Sequence, residues 1–153
     1  LVDWNPLGHQ FIIRFNHLVK PFDNPKIRQA ALLAMRQEDY LKATVGEPEY
    51  YKICSAAFVC GTPNAFDAPN GLLVKPDFEK AKALLKEAGY DGTPIVLMQS
   101  TTLPVLTNTA PVTTALLGRC GHPESDLDLV HGGTGRQIVV RLANRSGYRE
   151  VAR

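Results

Sequence analysis

Residues 21–34 read PFDNPKIRQAALLA, and this stretch carries the clearest local signal in the chain. Asn24 suits a helix N-cap, and Pro25 suits the first helical position, where a proline sacrifices no hydrogen bond. Apolar side chains then recur at helical spacing, with charged and polar residues between them: Ile27, Ala30, Ala31, Ala34 and Met35. The pattern predicts a helix whose small alanines allow it to lie close against a sheet.

Outward from this helix, the pattern predicts alternating strands and helices. Phe11–Phe15 is rich in strand formers and indicates a buried strand. A short helix is expected at Gln37–Val45, with Gly46 as its C-cap. An amphipathic helix is expected at Phe78–Ala88, capped by Asp77 and stopped by Gly89. A helix is also expected within Leu103–Gly121, and it starts cleanly only at Pro111. Two further strands are expected, at Pro94–Met98 and at Leu127–Val130.

Helices that cross between strands favour an α/β (α+β) layer, in which helices pack on a sheet. The length of 153 residues suffices for one domain with its own core. A net charge of +2, with scattered lysines and arginines, argues against nucleic acid or an anionic membrane as a partner. No apolar run is long enough to span a bilayer. The chain opens on Leu1 without a signal peptide, so we expect an N-terminal part to be absent.

Three cysteines are present, at Cys54, Cys60 and Cys120. Cys54 and Cys60 are close enough for a small disulfide-closed loop, but the spacing alone fits two buried thiols equally well. A metal site is less favoured, because zinc ligand pairs are usually closer together and no second pair is present. We therefore expect no metal and no cofactor.

The segment from residue 46 to residue 75 is rich in proline and glycine and predicts a long irregular connection. Of its four aromatic residues, Tyr50, Tyr51 and Phe58 have two interpretations. They line a cleft for a small ligand, or they anchor the connection onto the body of the domain. The four are Tyr50, Tyr51, Phe58 and Phe66.

Signals for catalysis are weak. Gly132–Arg136 is glycine-rich but lacks the ending of a P-loop and the spacing of a dinucleotide fingerprint, so a flexible turn is the better explanation. Cys120 and His122 are too close in sequence for their side chains to face each other readily. Asp126 and Asp128 are explained by a solvated strand face. No catalytic residue is assigned.

Three motifs, in order, resemble the family 5 extracellular solute-binding proteins, the dipeptide- and oligopeptide-binding subunits of ABC importers. Residues 15–34 match a strand ending in Asn that leads to a Pro-Phe-x-(Asn/Asp)-x-x-(Val/Ile)-Arg-Gln-Ala helix. Residues 50–63 are similar to a subgroup with a cysteine pair here, which implies a Cys54–Cys60 disulfide. Residues 80–92 resemble the family's Ala-Lys-x-Leu-Leu-x-Glu-Ala-Gly-Tyr helix.

The resemblance implies one lobe of a type II periplasmic-binding clamshell that closes over a peptide or similar solute without chemistry. The chain would supply a fragment of the C-terminal lobe. Its partners would be the missing N-terminal lobe and an ABC permease in the membrane, and its location the periplasm. Asn16, Tyr51 and Phe58 are the candidate ligand contacts. The backbone edges left by a missing lobe favour self-association.

The similarity covers about residues 10–117, which we take as a family-like core within a single partial domain. Residues 118–153 form a divergent tail, in which the family's Asp-Trp pair is absent. A local frame change or true divergence between about 119 and 136 is one hypothesis for it. The alternative functions are a degenerate product without binding function and a small α/β enzyme using the glycine turn or Cys120.

Overall fold

A computed structural model describes residues 11–56, 58–66, 71–93, 95–100, 104–120 and 137–141. Helices make up most of its regular secondary structure. The helices are α1 (Pro25–Ala34), α2 (Gln37–Thr44), α3 (Phe78–Glu87), α4 (Pro104–Thr107) and α5 (Thr109–Gly118), with a 3₁₀ turn at Pro48–Tyr50, and the strands are β1 (Val96–Ser100) and β2 (Gln137–Arg141).

Helix α1 begins as the sequence predicts. The Asn24 side chain accepts a hydrogen bond from the Lys26 amide at 2.9 Å, and Pro25 occupies the first turn. The Arg28 guanidinium donates back to the carbonyl oxygens of Phe22 and Asp23, at 2.6 and 3.1 Å. These bonds fix the turn that leads into the helix, since they satisfy carbonyls that no helical partner reaches.

Among the described residues, the buried face of α1 packs mainly against α3, so the predicted packing of α1 against a sheet is not confirmed. Ala30 and Ala34 on α1 and Ala81 on α3 are all 0% exposed. Both helices present alanine at the contact, and side chains this small allow helix axes to approach closely. The Asp77 amide donates to the Leu33 carbonyl at 2.9 Å, which also joins the start of α3 to α1.

Helix α3 begins and ends where the sequence predicts, to within a residue. The Asp77 carboxylate accepts from the Lys80 amide at 2.9 Å. Gly89 has a φ of +66°, and the next amide, that of Tyr90, donates a hydrogen bond to the Leu85 carbonyl at 3.0 Å. A glycine tolerates this left-handed conformation without steric cost, so the helix can end there.

The strands β1 and β2 pair antiparallel, with Met98 opposite Val139. Strand β1 begins two residues later than predicted, and Ile95 just before it is 1% exposed. Helices α4 and α5 contact β1. The described residues contain this two-stranded sheet only, so a larger sheet covered by helices is not confirmed.

The predicted strand at Phe11–Phe15 is wrong for the described part of the chain. The segment is not assigned to any strand, because no described strand lies beside it. Phe11, Ile12 and Ile13 are 46%, 80% and 43% exposed. Only Phe15, whose ring lies 4.7 Å from that of Phe22, packs against the core.

The expected long helix within 103–121 is instead the pair α4 and α5, divided at Asn108. Helix α5 begins at Thr109, before Pro111. A proline is acceptable there because the first-turn amides have no partner within the helix. The predicted strand at Leu127–Val130 lies outside the described residues. Within those residues, no helix is both long and apolar enough to cross a membrane.

Candidate functional site

The irregular connection between α2 and α3 is held at two points by one residue, Gln37. Its backbone amide donates to the Leu73 carbonyl at 2.7 Å, near the end of the connection. Its side-chain oxygen accepts from the Cys54 amide at 2.6 Å, near the beginning. Sequence reasoning missed this role, because a glutamine in the first turn of a helix has no distinctive pattern.

A disulfide between Cys54 and Cys60 closes a small ring within the connection, with their Cα atoms 5.9 Å apart. This confirms the pairing that the family resemblance implies. Immediately after the ring, the Thr62 hydroxyl donates to the Val59 carbonyl at 2.8 Å, and the Ala65 amide donates to the Thr62 carbonyl at 3.0 Å. The connection is therefore shaped by a covalent bond and by local turns.

Three of the four aromatic rings of the connection face solvent. Tyr50, Phe58 and Phe66 are 68%, 53% and 62% exposed, and only Tyr51 is half-buried. In the described structure the three exposed rings do not anchor the connection onto the domain, which was one of the two interpretations. Exposed aromatic rings that form a contiguous patch are typical of surfaces that meet another molecule or another part of the same protein.

Asn16 lies before α1 in the sequence, directly after residues 11–15. It is exposed, and its side-chain oxygen accepts from the Leu18 amide at 3.0 Å. Within the described ranges, no hydrogen bond or ring contact joins Asn16 to Tyr51 or Phe58. The structure thus places Tyr51 and Phe58 on one connection and Asn16 on a separate turn.

A small charged network lies beside Tyr51 on α2. Glu38 pairs with Lys42 at 2.9 Å and with Arg36. Hydrogen bonds first from Lys42 and then from Arg36 lower the pKa of the Glu38 carboxyl. The Glu38 carboxylate is also the main cause of the raised pKa of Lys42, to which the Tyr51 hydroxyl contributes. These side chains remain partly exposed to solvent, so their ion pairs have a small effect on stability.

A concave region lies between the turn before α1 and the turn after α3. It encloses about 190 Å³ and is lined by Lys20, Asn24, Tyr90, Asp91 and Thr93, among others. Its polar groups satisfy one another: the Tyr90 hydroxyl donates to the Thr93 carbonyl at 2.6 Å, and the Thr93 amide donates to Asp91 at 2.9 Å. The volume is below the roughly 300 Å³ at which ligand pockets begin, so this cleft is not the candidate site.

Cys120 is 4% exposed and is not part of a disulfide. Burial raises the pKa of its thiol to about 11. Because the thiolate is the reactive form, a thiol in this environment is a poor nucleophile at neutral pH. His122 and the glycine turn at 132–136 lie outside the described residues. In the described ranges, no group of three or more metal-ligating side chains comes together.

Comparison with known proteins places this geometry in a family. The model of the bacterial extracellular solute-binding proteins, family 5 (middle region), matches residues 3–121. A probable peptide ABC transporter periplasmic-binding protein of Sinorhizobium fredii is 39% identical over 119 residues, which cover 76% of this chain and 22% of that protein. The dipeptide-binding protein DppE of Bacillus subtilis is 32% identical over 100 residues, which cover 61% of this chain and 18% of DppE.

The chain thus spans about a fifth of the length of the curated relatives that it matches. The matched region includes the capped helix α1, the disulfide-closed connection and helix α3. Since the family model covers well over half of the chain, the conclusion does not depend on a single motif. This chain belongs to the bacterial extracellular solute-binding proteins of family 5.

Proposed function

We propose that this chain is part of the substrate-binding component of an ABC importer that captures peptides in the periplasm. The observation that carries the proposal is the family match over residues 3–121, together with relatives whose names describe peptide and dipeptide binding. The role is binding and not catalysis.

In this proposal the chain supplies a fragment of the C-terminal lobe of a two-lobed clamshell. Capture works by shifting the equilibrium between open and closed forms, so the ligand must contact both lobes. A single lobe desolvates the ligand only partly and binds it weakly. The missing N-terminal lobe and a membrane permease are the partners that the proposal requires.

The ligand contacts that we propose are Asn16, Tyr51 and Phe58. Phe58 is exposed and lies inside the disulfide ring, which restricts its backbone before any ligand arrives. Tyr51 is half-buried, and its side chain lies close enough to Lys42 to contribute to the raised pKa of that lysine. An aromatic ring with a polar partner nearby suits a peptide, whose backbone is polar and whose side chains are mixed.

We further propose the division of the chain into a family-like core at 10–117 and a divergent tail at 118–153. The family match ends at residue 121, near this boundary. Sequencing the gene across codons 118–136 and both flanks tests the division. A frame change near codon 119 would favour a degenerate product without binding function, whereas an uninterrupted frame flanked by a first lobe would favour the importer component.

Calorimetric titration tests the function directly. Peptides of two to five residues are titrated into the complete product of the gene and into the 153-residue chain. Binding by the complete product, with much weaker or no binding by the 153-residue chain, is the expected result. No binding by either would contradict the proposal, and turnover of any peptide would favour an enzyme.

Variants of the complete product then test the contacts. Tyr51→Ala and Phe58→Ala are each expected to weaken peptide binding by about tenfold, which corresponds to ~1.4 kcal/mol. Phe66→Ala is the matched control, because Phe66 is at least as exposed and lies outside the disulfide ring. Asn16→Ala is compared with Asn64→Ala, a second exposed asparagine. Equal losses in a variant and its control would contradict the assignment.

A further inference from the structure

Gln37 lies on a helix that is itself fixed to the interior of the domain. The Tyr40 hydroxyl of α2 bonds to the Thr113 hydroxyl of α5 at 2.9 Å, and Thr113 is 4% exposed. Near the other end of α2, the side-chain nitrogen of Asn108 donates to the Ala43 carbonyl at 2.8 Å. Any segment that bonds to Gln37 therefore takes its position from a helix that is held at two points.

The side-chain oxygen of Gln37 fixes the start of the disulfide ring. It accepts from the Cys54 amide at 2.6 Å, across 17 residues of chain. Cys54 is bonded to Cys60, Phe58 lies between the two, and Tyr51 comes shortly before them. One hydrogen bond thus limits where the segment that carries both proposed aromatic contacts can lie relative to α2.

The backbone amide of Gln37 holds the other end of the connection. The N-cap of α2 is Arg36, whose side chain has no acceptor for the first-turn amides, and the Gln37 amide donates to the Leu73 carbonyl at 2.7 Å. Leu73 has a φ of +68°, and in the described part of the chain it is the one residue other than glycine with a positive φ. A residue with a Cβ is sterically disfavoured in this conformation, so the surrounding bonds must hold it, and such strain is concentrated at ligand-binding and switching segments.

We propose that Gln37 is the positioning residue of the ligand-binding connection: it holds both ends of the segment and so preorganises Tyr51 and Phe58 for the peptide without touching it. The inference rests on the proposed peptide-binding function and names a residue on which the affinity depends. A segment that is already held in its bound conformation loses less freedom on binding, so more of the contact energy appears as affinity. Both bonds of Gln37 join residues of this chain, and they do not require the rest of the complete protein.

Amide exchange in the complete product of the gene tests the side-chain bond. Gln37→Met keeps the length of the side chain but removes the acceptor, so the Cys54 amide should exchange about tenfold faster. Gln37→Glu keeps an acceptor oxygen, so exchange at Cys54 should stay within about twofold of that in the unmodified protein. Gln29→Met, at an exposed glutamine of α1, is the matched control and should have no effect at Cys54. Equal exchange in Gln37→Met and in the unmodified protein would overturn the proposal.

The dissociation constant for peptides of two to five residues separates positioning from general support of the fold. Gln37→Met should weaken binding by about three- to tenfold, and Gln37→Glu should restore it. The midpoint of thermal unfolding of Gln37→Met should fall by less than about 4 °C, because the fold itself is retained. Binding that Gln37→Met leaves unchanged, or a loss that Gln37→Glu fails to restore, contradicts this inference alone. Absence of peptide binding by the unmodified product contradicts the proposed function, and this inference with it.

Two substitutions of Leu73 test the backbone bond. Leu73→Gly and Leu73→Ala both remove the leucine side chain beyond its Cβ, but only glycine adopts a φ of +68° without steric cost. If the Gln37 amide holds a strained residue in place, relief of the strain should strengthen this bond. The Gln37 amide should then exchange clearly more slowly in Leu73→Gly than in Leu73→Ala. Equal exchange in the two variants, or faster exchange in Leu73→Gly, would overturn the role proposed for this bond. Circular dichroism verifies that each variant is folded.

Discussion

The α1–α3 pair and the connection between α2 and α3 are stabilised in different ways. The helices meet through alanines that are 0% exposed, and each begins with a side-chain cap. The connection exposes its large apolar side chains and is held by a disulfide and by two hydrogen bonds to Gln37. Burial of apolar surface stabilises the first region, and covalent restriction of the unfolded chain stabilises the second.

This difference indicates where the molecule can adapt to a partner. A close-packed interior responds to small changes in volume, whereas a surface held at a few points can change its side chains at little cost. Substitutions that alter one region at a time should therefore differ in their effect on stability.

The largest effect is expected for a cavity in the core. Ile95 is 1% exposed, so Ile95→Ala should lower the free energy of unfolding by ~2–5 kcal/mol. Ile53→Ala is the same change at a residue of the connection that is 45% exposed, and it should cost no more than ~0.5 kcal/mol. Urea denaturation followed by circular dichroism measures both. Similar losses would mean that the two regions do not differ in their packing.

Removal of the disulfide should weaken the connection more than the helices. For a ring this short, the loss of chain restriction in Cys54→Ser with Cys60→Ser amounts to ~2 kcal/mol. We expect faster amide exchange in residues 51–66, with protection in α1 and α3 retained. Treatment of the unmodified protein with a phosphine reductant should reproduce the result. Equal loss of protection in α1 would show that the disulfide supports the whole fold.

The N-cap of α1 tests the packed region with a smaller change. Asn24→Ala removes the acceptor of the Lys26 amide and should cost ~1 kcal/mol. Asn64, an exposed residue of the connection, provides the matched substitution Asn64→Ala, for which almost no change is expected. Thermal unfolding of the two variants distinguishes them. A larger loss for Asn64→Ala would contradict the structure of the connection.

The smallest effect concerns α2, which borders both regions. The Tyr40 hydroxyl bonds to the Thr113 hydroxyl at 2.9 Å, and Tyr40→Phe should cost ~0.5–1 kcal/mol. Burial raises the pKa of Tyr40 to about 12 from an ordinary value of 10.0. The folded state favours the protonated form of the Tyr40 hydroxyl. The stabilisation that comes from this preference is complete below pH 10 and is lost as the pH rises through about 12.

Ultraviolet absorbance during alkaline titration measures this ionisation. Burial also raises the pKa of Tyr90 to about 12. Tyr40→Phe and Tyr90→Phe should therefore each reduce the absorbance change that occurs at the highest pH of the titration. A Tyr40→Phe titration that matches the unmodified protein would show that Tyr40 ionises earlier than its burial implies.

The elements that the sequence predicted well depend on local information. Asn24, Asp77 and Gly89 act within one helical turn of their positions, and the apolar spacing of α1 and α3 selects their buried faces. The side against which α1 packs could not be read from its own residues, because alanines suit a sheet and a helix equally. The disulfide needed the family resemblance, since the spacing of Cys54 and Cys60 left it open.

The elements that were predicted wrongly depend on distant partners. A strand is formed only when another strand pairs with it. The composition of residues 11–15 does not indicate whether such a partner strand is present. The three candidate contacts came from strand ends and aromatic residues, and Tyr51 and Phe58 do lie on one restrained connection. The role of Gln37 depends on atoms 17 residues away along the chain and has no local pattern.

The two bonds of Gln37 have a consequence for how members of such a family can diverge. Because the Cys54 amide and the Leu73 carbonyl both bond to Gln37, the two ends of the segment between them lie close together. Doubling the length of a flexible segment whose ends are held together costs only about 0.6 kcal/mol in loop-closure entropy. The segment between Cys54 and Leu73 can therefore vary in length at little cost in free energy while α1, α2 and α3 keep their arrangement.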